Sequence, residues 1–417
     1  MAVVTLLVDV GITAGAADTS QYWYIGNPTR GKIGTAAIAP PDLMTRVETE
    51  RIISMSVQRT SSRSLGPFVE YNAGTATLVL LNDDGALDPA NLPQPAAGAD
   101  IRIRWLYDGV TYPVFRGVVQ SWLPELRSPT NAVIIVQIID AFADLAGDKP
   151  VVLGAPAGGS EDTGARINRI LGAISWPAAD RDIALGDTTL QATTLDGTAL
   201  ELIQAAVLAE AGEFYIGPDG VAVFRNRRAL LTETRSNTSQ ATFGSDIGGG
   251  ELPYVGTPGL SDDISQLVNT VRATRAGGTQ QTVSDTTSVA RYRAKLAEES
   301  DLLHETDLET RNWALYILGQ NAAPELRYTS LTLDARANPA QLYPQMIGRL
   351  LGDRITVVRR WPGVVDAREV LIRSIEHTWE YPAKWTTVWG LQPASTYSFW
   401  TIGHPTAGRI GRNAIAY

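Results

Sequence analysis

The chain has 417 residues, of which 44% are hydrophobic and 19% are charged, a balance typical of an ordered globular protein. It contains no cysteine, which excludes disulfides, thiolate zinc sites and a cysteine nucleophile. The formal net charge of −9 argues against a nucleic-acid-binding protein, because phosphate binding requires clustered positive charge. The densest basic group, Arg225, Arg227 and Arg228, is too small to line a groove that binds nucleic acid.

The N-terminal segment VVTLLVDVGI is apolar but short, lacks a basic leader and already carries Asp9. It therefore predicts a first strand rather than a signal peptide or a membrane span. We expect a protein that is made in a cytoplasm, is not exported by a cleaved leader and has no stable membrane insertion.

Residues 47–142 read as a series of strands. GTATLVLLN, which starts at Gly74, is rich in β-branched residues and ends in the turn signal NDDG. IRIRWLY alternates apolar and basic residues, the period of a half-buried strand, and Asp108 with Gly109 predicts a hairpin tip. AVIIVQIIDAF, from Ala132, is nearly continuously apolar, as expected of a strand covered on both faces. At least five strands in this region predict a barrel or a sandwich.

The next region, 151–243, changes to an α+β pattern. EDTGARINRILGAI predicts a helix with one apolar face. Thr198 to Glu201 spell TALE, a capping box that begins a second helix, and Gly212 stands where the C-cap of that helix belongs. FYI, GPDG and VAVFR follow at once and predict a β-hairpin.

The remaining sequence contains a strand, a helix from Asp307 to Gln320, and then further strands. The order predicts a mainly β protein with an α+β insertion, built from two β-barrel-like domains and a helix–hairpin domain in a hub-like arrangement. The predicted domains are an N-terminal arm with the first barrel (1–150), the α+β domain (151–243), a connecting segment (244–324), the second barrel (325–400) and a C-terminal arm (401–417). No repeat is visible at a fixed period, although the two β-rich ends could be related barrels with diverged sequences.

The sequence contains little that points to catalysis. Its three histidines, His304, His377 and His404, are far apart and have no ligand-like spacing. His377 lies in a predicted strand on the face shared with Ile375 and Trp379, so a packed histidine is the preferred interpretation. GxSxG, P-loop and GxGxxG motifs are absent. We predict no enzyme, and no catalytic, cofactor-binding or metal site.

Two patterns leave a binding site open. Trp379, Trp385 and Trp389 could stack a sugar, although aromatics of a core or a subunit contact are the preferred interpretation. NDDGALD (82–88) resembles a calcium loop, but its glycine comes too early and no bidentate Glu follows. A tight turn explains the segment better, because Gly85 can supply a positive φ. A pair of glycosidase carboxylates cannot be identified from sequence alone.

The segment YNAGTATLVLLNDDGALDPAN (71–91) resembles a signature of minor tail proteins from phages with long non-contractile tails, in which it precedes a characteristic strand pair. The matching positions are Gly74, Thr75, Leu78, Leu80, Asn82, Gly85, Asp88 and Pro89, then Ile101, Ile103, Trp105, Phe115, Gly117 and Trp122. Three further segments are similar to the same family: YWYIGNPTRGKIGT (22–35), FYIGPDGVAVFRNR, and the strands from DRITVVRR to WTTVWGLQPA. The resemblance therefore covers nearly the whole chain.

That family is similar in architecture to the baseplate hub of contractile phages. The resemblance implies a structural protein of the virion tail tip, a homotrimeric ring in which two barrels per chain, at about 45–150 and 325–400, alternate around a three-fold axis. The implied partners are the distal tail protein or tail tube, the tape-measure protein, and the central tip or spike with other minor tail proteins. DNA would pass through the ring without being specifically bound.

Two other functions remain open. A distal tail ring protein is also β-rich but hexameric, and a host-wall sugar-binding adhesin or glycosidase would need exposed tryptophans or paired acids in a cleft. Many hub proteins of this kind continue into a peptidase, lysozyme or receptor-binding module, whereas this sequence ends at GRNAIAY. We therefore expect wall degradation and host binding to fall to other proteins.

Overall fold

A computed structural model describes residues 4–11, 44–62, 70–92, 96–128, 131–147, 150–261, 264, 266–382, 384–394, 399–400 and 414–415. The family-like segment 22–35 lies outside the described residues, as does the predicted C-terminal arm apart from Ala414 and Ile415.

The described part contains 26 strands, three short 3-10 helices and eight α-helices. The strands are β1 (Thr5–Val10), β2 (Thr45–Val47), β3 (Ile52–Ser62), β4 (Glu70–Tyr71), β5 (Thr75–Leu81), β6 (Asp100–Tyr107), β7 (Val110–Ser128), β8 (Asn131–Ile139), β9 (Pro150–Ala157), β10 (Glu161–Asp162), β11 (Arg181–Ile183), β12 (Thr189–Leu190), β13 (Thr193–Thr198), β14 (Glu213–Ile216), β15 (Ala222–Arg225), β16 (Thr242–Phe243), β17 (Val255–Ser261), β18 (Thr270–Arg275), β19 (Gln281–Ser284), β20 (Leu296–Leu302), β21 (Arg327–Asp334), β22 (Arg354–Trp361), β23 (Val364–Glu380), β24 (Lys384–Pro393), β25 (Phe399–Trp400) and β26 (Ala414–Ile415). The helices are α1 (Phe142–Ala146), α2 (Thr163–Ala173), α3 (Ala199–Glu210), α4 (Ala229–Thr232), α5 (Thr234–Asn237), α6 (Thr286–Tyr292), α7 (Asp307–Asn321) and α8 (Pro339–Gly348). The predicted fold class, mainly β with an α+β insertion, is confirmed.

One large sheet runs through both β-rich ends of the chain, in the order β17-β21-β24-β23-β3-β5-β8-β7-β6-β1-β2. β22 also pairs with β23, β16 pairs with β22, and β4 pairs with β3. The strands predicted in both β-rich regions are all present, including the hairpin whose tip is formed by Asp108 and Gly109, each with a positive φ. The predicted domain bounds stay a prediction, but the sheet joins the first and last parts of the chain by backbone hydrogen bonds.

The sheet contains the same five-strand arrangement twice. The first unit has the order β3-β5-β8-β7-β6, and the second has the order β17-β21-β24-β23-β22. In the first unit, the longest strand is β7, which pairs first with β6 and then with β8. In the second unit, the longest strand is β23, which pairs first with β22 and then with β24. One residue is left out of the ladder just after this change of partner, Gln120 in β7 and Arg373 in β23. The shared order and the shared bulge support the interpretation that the two ends are related.

Side-chain contacts show that the sheet curls around its core. Trp105 of β6 stacks on Trp385 of β24, with 4.1 Å between the ring centroids. These strands are six steps apart in the sheet order, which is roughly 29 Å along a flat sheet at about 4.8 Å per strand. Because the rings nevertheless touch, the sheet must bend back on itself. Residues of both units therefore share one hydrophobic core, as expected of barrel-like units.

The prediction that β8 is covered on both faces is wrong. Ile134, Val136 and Ile138 point into the core and are buried, whereas Gln137 is exposed and Ile135 is only half-buried. The unbroken apolar run hid the alternation, because Ile135 extends the hydrophobic pattern across the outward face.

The inserted α+β unit has its own core beneath α2 and α3. The capping box at Thr198 and Glu201 begins α3 as predicted, with both reciprocal hydrogen bonds present. The predicted C-cap is displaced by one residue: Ala211, at φ +53°, has the left-handed conformation, and Gly212 follows it. Gly212 is needed for a different reason, since a Cβ there would lie 2.7 Å from the carbonyl oxygen of Arg225 in β15.

The segment after β17 folds into a smaller layer. β19, β18 and β20 form a three-stranded sheet, and α7 covers it with Trp313 and Ile317 buried in the shared core. α7 begins at a second capping box, Thr306 with Glu309. Among the described residues, no helix combines the length and the apolar composition needed to cross a membrane.

The contact between Trp105 and Trp385 predicts a large stability effect. W385A should lower the free energy of unfolding by about 3–5 kcal/mol, because it leaves a cavity where the two units meet. Trp361 is the matched control, since it is 54% exposed at the tip of the β22–β23 hairpin, and W361A should cost less than about 0.5 kcal/mol. Denaturant unfolding of both variants measures this, and equal losses would contradict the shared core.

Candidate functional site: buried polar groups and open sheet surfaces

The two histidines that the structure describes are packed side chains. His377 is buried, its Nδ1 lies 2.9 Å from Thr387 Oγ1, and burial lowers its pKa to about 3, with Arg59 contributing. His304 is also buried, and its ring nitrogens contact the Thr310 hydroxyl and the Ala209 carbonyl. The packed interpretation of His377 is confirmed; His404 lies outside the described residues.

The three clustered tryptophans cannot form an exposed sugar platform. Trp379, Trp385 and Trp389 are 6%, 1% and 0% exposed. Trp379 and Trp385 are paired across β23 and β24, and Trp385 continues into the stack with Trp105. The preferred interpretation of these rings as core aromatics is confirmed.

The NDDGALD segment is a hydrogen-bonded turn. The Asn82 side-chain oxygen accepts from the Leu87 amide at 2.8 Å, and the Asp83 carboxylate accepts from the Ala132 amide at 2.9 Å. Gly85 has φ +69°. The tight-turn prediction is confirmed, because these side chains serve the backbone of the turn. Within the described part of the chain, no cluster of three or more His, Asp or Glu residues has the geometry to hold a metal ion.

Two glycines of the family-like signature allow close packing around Asp140, which follows β8. The Asp140 carboxylate accepts from the Gly74 amide at 2.8 Å and from the Phe142 amide at 3.0 Å. A Cβ at Gly74 would lie 2.6 Å from this carboxylate, and one at Gly117 would lie 2.1 Å from the Ile139 carbonyl oxygen. Burial raises the pKa of Asp140 to about 7, against the two amide bonds, which lower it. The signature therefore fixes the turn from the first unit into α1.

A buried charged cluster attaches the α+β unit to the sheet. Arg373, the bulged residue of β23, donates to Glu213 of β14 at 2.6 Å and to Gln392 at 2.6 Å. Tyr71 donates from its hydroxyl to Glu213 at 3.1 Å, and its ring lies 5.1 Å from that of Tyr215. Burial raises the pKa of Tyr71. The bulge thus turns a cation out of the ladder and toward the insert. Sequence reasoning missed this cluster because a bulge cannot be read from residue alternation.

A pocket lies beside this cluster, between α3, β14 and α7. Its walls include Val207, Leu208, Phe214, Ile317 and the buried amide of Gln320. The four apolar side chains also belong to the cores of the α+β unit and the α7 layer, so the pocket lies at the boundary between these layers.

One face of the large sheet is open and rich in hydroxyl groups. We call it the open face. Its side chains come from every second position of adjacent strands and are half-buried or exposed: Ser54, Ser56, Gln58, Thr60, Thr75, Thr77, Gln137, Ser330, Thr332, Ser374, Glu376, Thr378 and Thr386. Cross-strand neighbours continue it over the junction of the two units, for example Ser56 beside Thr77 and Thr378. The result is a mainly polar surface with few charges, interrupted by the half-buried apolar side chains of Val79, Ile135 and Val388.

The two units also leave apolar side chains at open strand edges. β17 carries Val255 and Leu260, and the end of β7 carries Leu123 and Leu126. In the described residues, the only strand beside β17 is β21, and β7 beyond Val119 pairs only with β8. Strand edges with exposed apolar residues are sites at which another strand can add.

The cluster at Glu213 and Arg373 yields a stability prediction. R373M should cost about 3–5 kcal/mol in the free energy of unfolding, because it leaves the Glu213 carboxylate buried without its cation. The double variant E213Q/R373M should recover part of this loss.

Lys384 provides a matched control, because its ion pair with Glu380 is half exposed on both sides. K384M should cost less than about 1 kcal/mol. Denaturant titrations compare these variants, and a loss for R373M no larger than that for K384M would contradict the anchoring role of the cluster.

Two solved structures are similar in fold to this chain. A tail protein from Neisseria meningitidis MC58 aligns with a TM-score of 0.57 and 10% sequence identity, over 94% of this chain and 96% of that chain. The 43 kDa tail protein of prophage MuSo2 from Shewanella oneidensis aligns with a TM-score of 0.53 and 14% identity, over 85% of this chain and 96% of that chain. No family model matches the sequence, and no curated protein matches it. The resemblance to tail proteins is thus confirmed as a shared fold: this chain has the fold seen in these two tail proteins.

Proposed function

We propose that this chain is a structural hub protein of a phage tail tip, three copies of which form a ring. The observation that carries the proposal is the duplicated five-strand unit, whose two copies are joined edge to edge through β23 and β3. Two like units per chain make six like units in a trimer. A trimer of this kind would present near six-fold symmetry to a six-fold tail tube and three-fold symmetry to a central spike.

The chemistry of the open face supports a ring with a passage through it. Hydroxyl and amide side chains, together with Glu376, cross the junction of the two units on this face. The ion pair of Glu380 with Lys384 lies at the adjoining end of β23 and β24. The residues of the open face include no cluster of cations with which to hold phosphate groups. Three arginines, Arg46, Arg102 and Arg104, lie further along the sheet, on β2 and β6, where Asp9 pairs with Arg46 and Arg104. In the proposed ring the open face would line the bore, and the tape-measure protein and then DNA would slide past it without being specifically bound.

The proposed role is structural rather than enzymatic. In this proposal the ring sits at the tail tip of the virion and joins the distal tail protein or tail tube to the central tip and other minor tail proteins. In this proposal the α+β unit lies outside the ring. Glu213 attaches it to Arg373, the bulged residue of β23, and Tyr215 contacts Tyr71 of β4.

The duplication also weighs against the alternatives. Six copies of this chain, as in a distal tail ring, would place twelve like units around a six-fold tube and lose the match in number. The sugar-binding adhesin loses its main support, because Trp379, Trp385 and Trp389 are buried.

Native mass spectrometry of the purified protein at several concentrations tests this proposal. We expect a species of three times the 44.9 kDa chain mass. A hexamer would favour the distal-ring alternative. A monomer at every concentration would contradict a ring that forms without other tail proteins.

A further inference from the structure

The pocket between α3, β14 and α7 combines an internal space with an unsatisfied polar group. It contains about 810 Å³ of space, counting the solvent at its mouth. Its apolar lining comes from three elements, because Val207 and Leu208 lie on α3, Phe214 on β14 and Ile317 on α7. Mainly apolar walls with a few polar groups are typical of a site for a small ligand.

The unsatisfied group is the side-chain amide of Gln320, in the last turn of α7. Gln320 lines the pocket and is 8% exposed. Among the described residues, its Nε2 atom has no hydrogen-bond partner. A buried amide without a partner costs stability, because it has lost its hydrogen bonds to water and gained none in return. An occupant of the pocket that offers an acceptor atom would remove this cost.

The charged groups of the lining need no charge from an occupant. The Glu213 carboxylate accepts from Arg373 at 2.6 Å, and the Nε of Arg227 lies 3.7 Å from a carboxylate oxygen of Glu210. Glu70, the third charged residue of the lining, is exposed and therefore solvated. An occupant thus has to supply only an apolar body and an acceptor for the free amide.

We propose that this pocket binds a neutral, mainly apolar small molecule whose carbonyl or ether oxygen accepts a hydrogen bond from Gln320 Nε2. The apolar body of the ligand fills the space that Val207, Phe214 and Ile317 border, where it displaces water from their side chains. The site is built from one chain and uses none of the strand edges, so the inference goes beyond the proposed function and does not depend on a ring.

Acetophenone is the probe for this site, because it joins an aromatic ring to one carbonyl and has neither a charge nor a hydrogen-bond donor. Ligand-detected NMR on the full chain should show saturable binding. Ethylbenzene is the matched probe, since it has the same ring and a two-carbon substituent but no acceptor. The two probes together separate the apolar contribution from the hydrogen bond.

The variant Q320M removes the amide and keeps an unbranched side chain of similar length. It should weaken acetophenone binding about tenfold, the effect expected from the loss of one hydrogen bond to a buried amide. The affinity for ethylbenzene should change less than about twofold, because no hydrogen bond is lost with that probe.

A second pair of variants tests the place of binding. V207W should abolish the binding of both probes, because the larger side chain fills the pocket. L308W is the matched control, since Leu308 is 66% exposed on α7 and does not line the pocket. It should bind both probes as the wild type does.

The stability of the ligand-free protein distinguishes a binding role of Gln320 from a structural one. Q320M should not lower the denaturant midpoint, because the amide has no partner to lose. Saturating acetophenone should raise the midpoint of the wild type more than that of Q320M, since a ligand stabilises the folded state in proportion to its affinity.

The outcomes are separate from those of the proposed ring, because no arm depends on the oligomeric state. Acetophenone binding that requires Gln320, is lost in V207W and persists in L308W would support the inference. A wild-type protein that shows no saturable binding would overturn it. Equal acetophenone affinities of the wild type and Q320M, or a Q320M variant with a lower midpoint, would also overturn it, because Gln320 would then serve the fold alone.

Discussion

Backbone pairing at the edge of a sheet governs the architecture of this molecule. A strand edge exposes a row of amide and carbonyl groups that must be hydrogen-bonded or solvated. Within the chain, β3 meets this requirement for β23, and the pairing merges two separate five-strand units into one curled sheet. The core common to both units, with Trp105 stacked on Trp385, exists because this junction brings their inner faces together.

The bulges in β7 and β23 occupy the same place in the two units but present side chains with different roles. In the first unit the bulged residue, Gln120, is exposed. In the second unit the bulged residue is Arg373, which binds Glu213 in a buried cluster and so attaches the α+β unit. The two halves of the chain thus share their strand order but differ in what they carry, which is the difference expected if one half supports an insert and both halves contribute to a common ring.

Much of the fold could be predicted from local sequence. β-branched runs, the turn at Asn82 and the capping box at Thr198 are short-range signals, because each depends on residues within a few positions. The burial of His377 also followed from strand alternation. The seam of the duplicated units could not be predicted, since the loops that link their strands differ in length and sequence, and pairing of β23 with β3 joins residues more than 300 positions apart.

The candidate surfaces were harder still to foresee. The open face is a property of neighbouring strands and becomes visible only when their register is known, as with Thr77 between Ser56 and Gln137. The anchoring of Arg373 depends on one extra residue in a ladder. The outward face of β8 was mispredicted for the related reason that Ile135 gives no sign of which side it lies on.

Electron microscopy of the purified assembly, viewed along its axis, tests the proposed ring most directly. Class averages should show six similar lobes around an open centre, with three larger outward projections formed by the α+β units. An assembly with a filled centre, or with six outward projections, would contradict a trimeric hub built from two like units per chain.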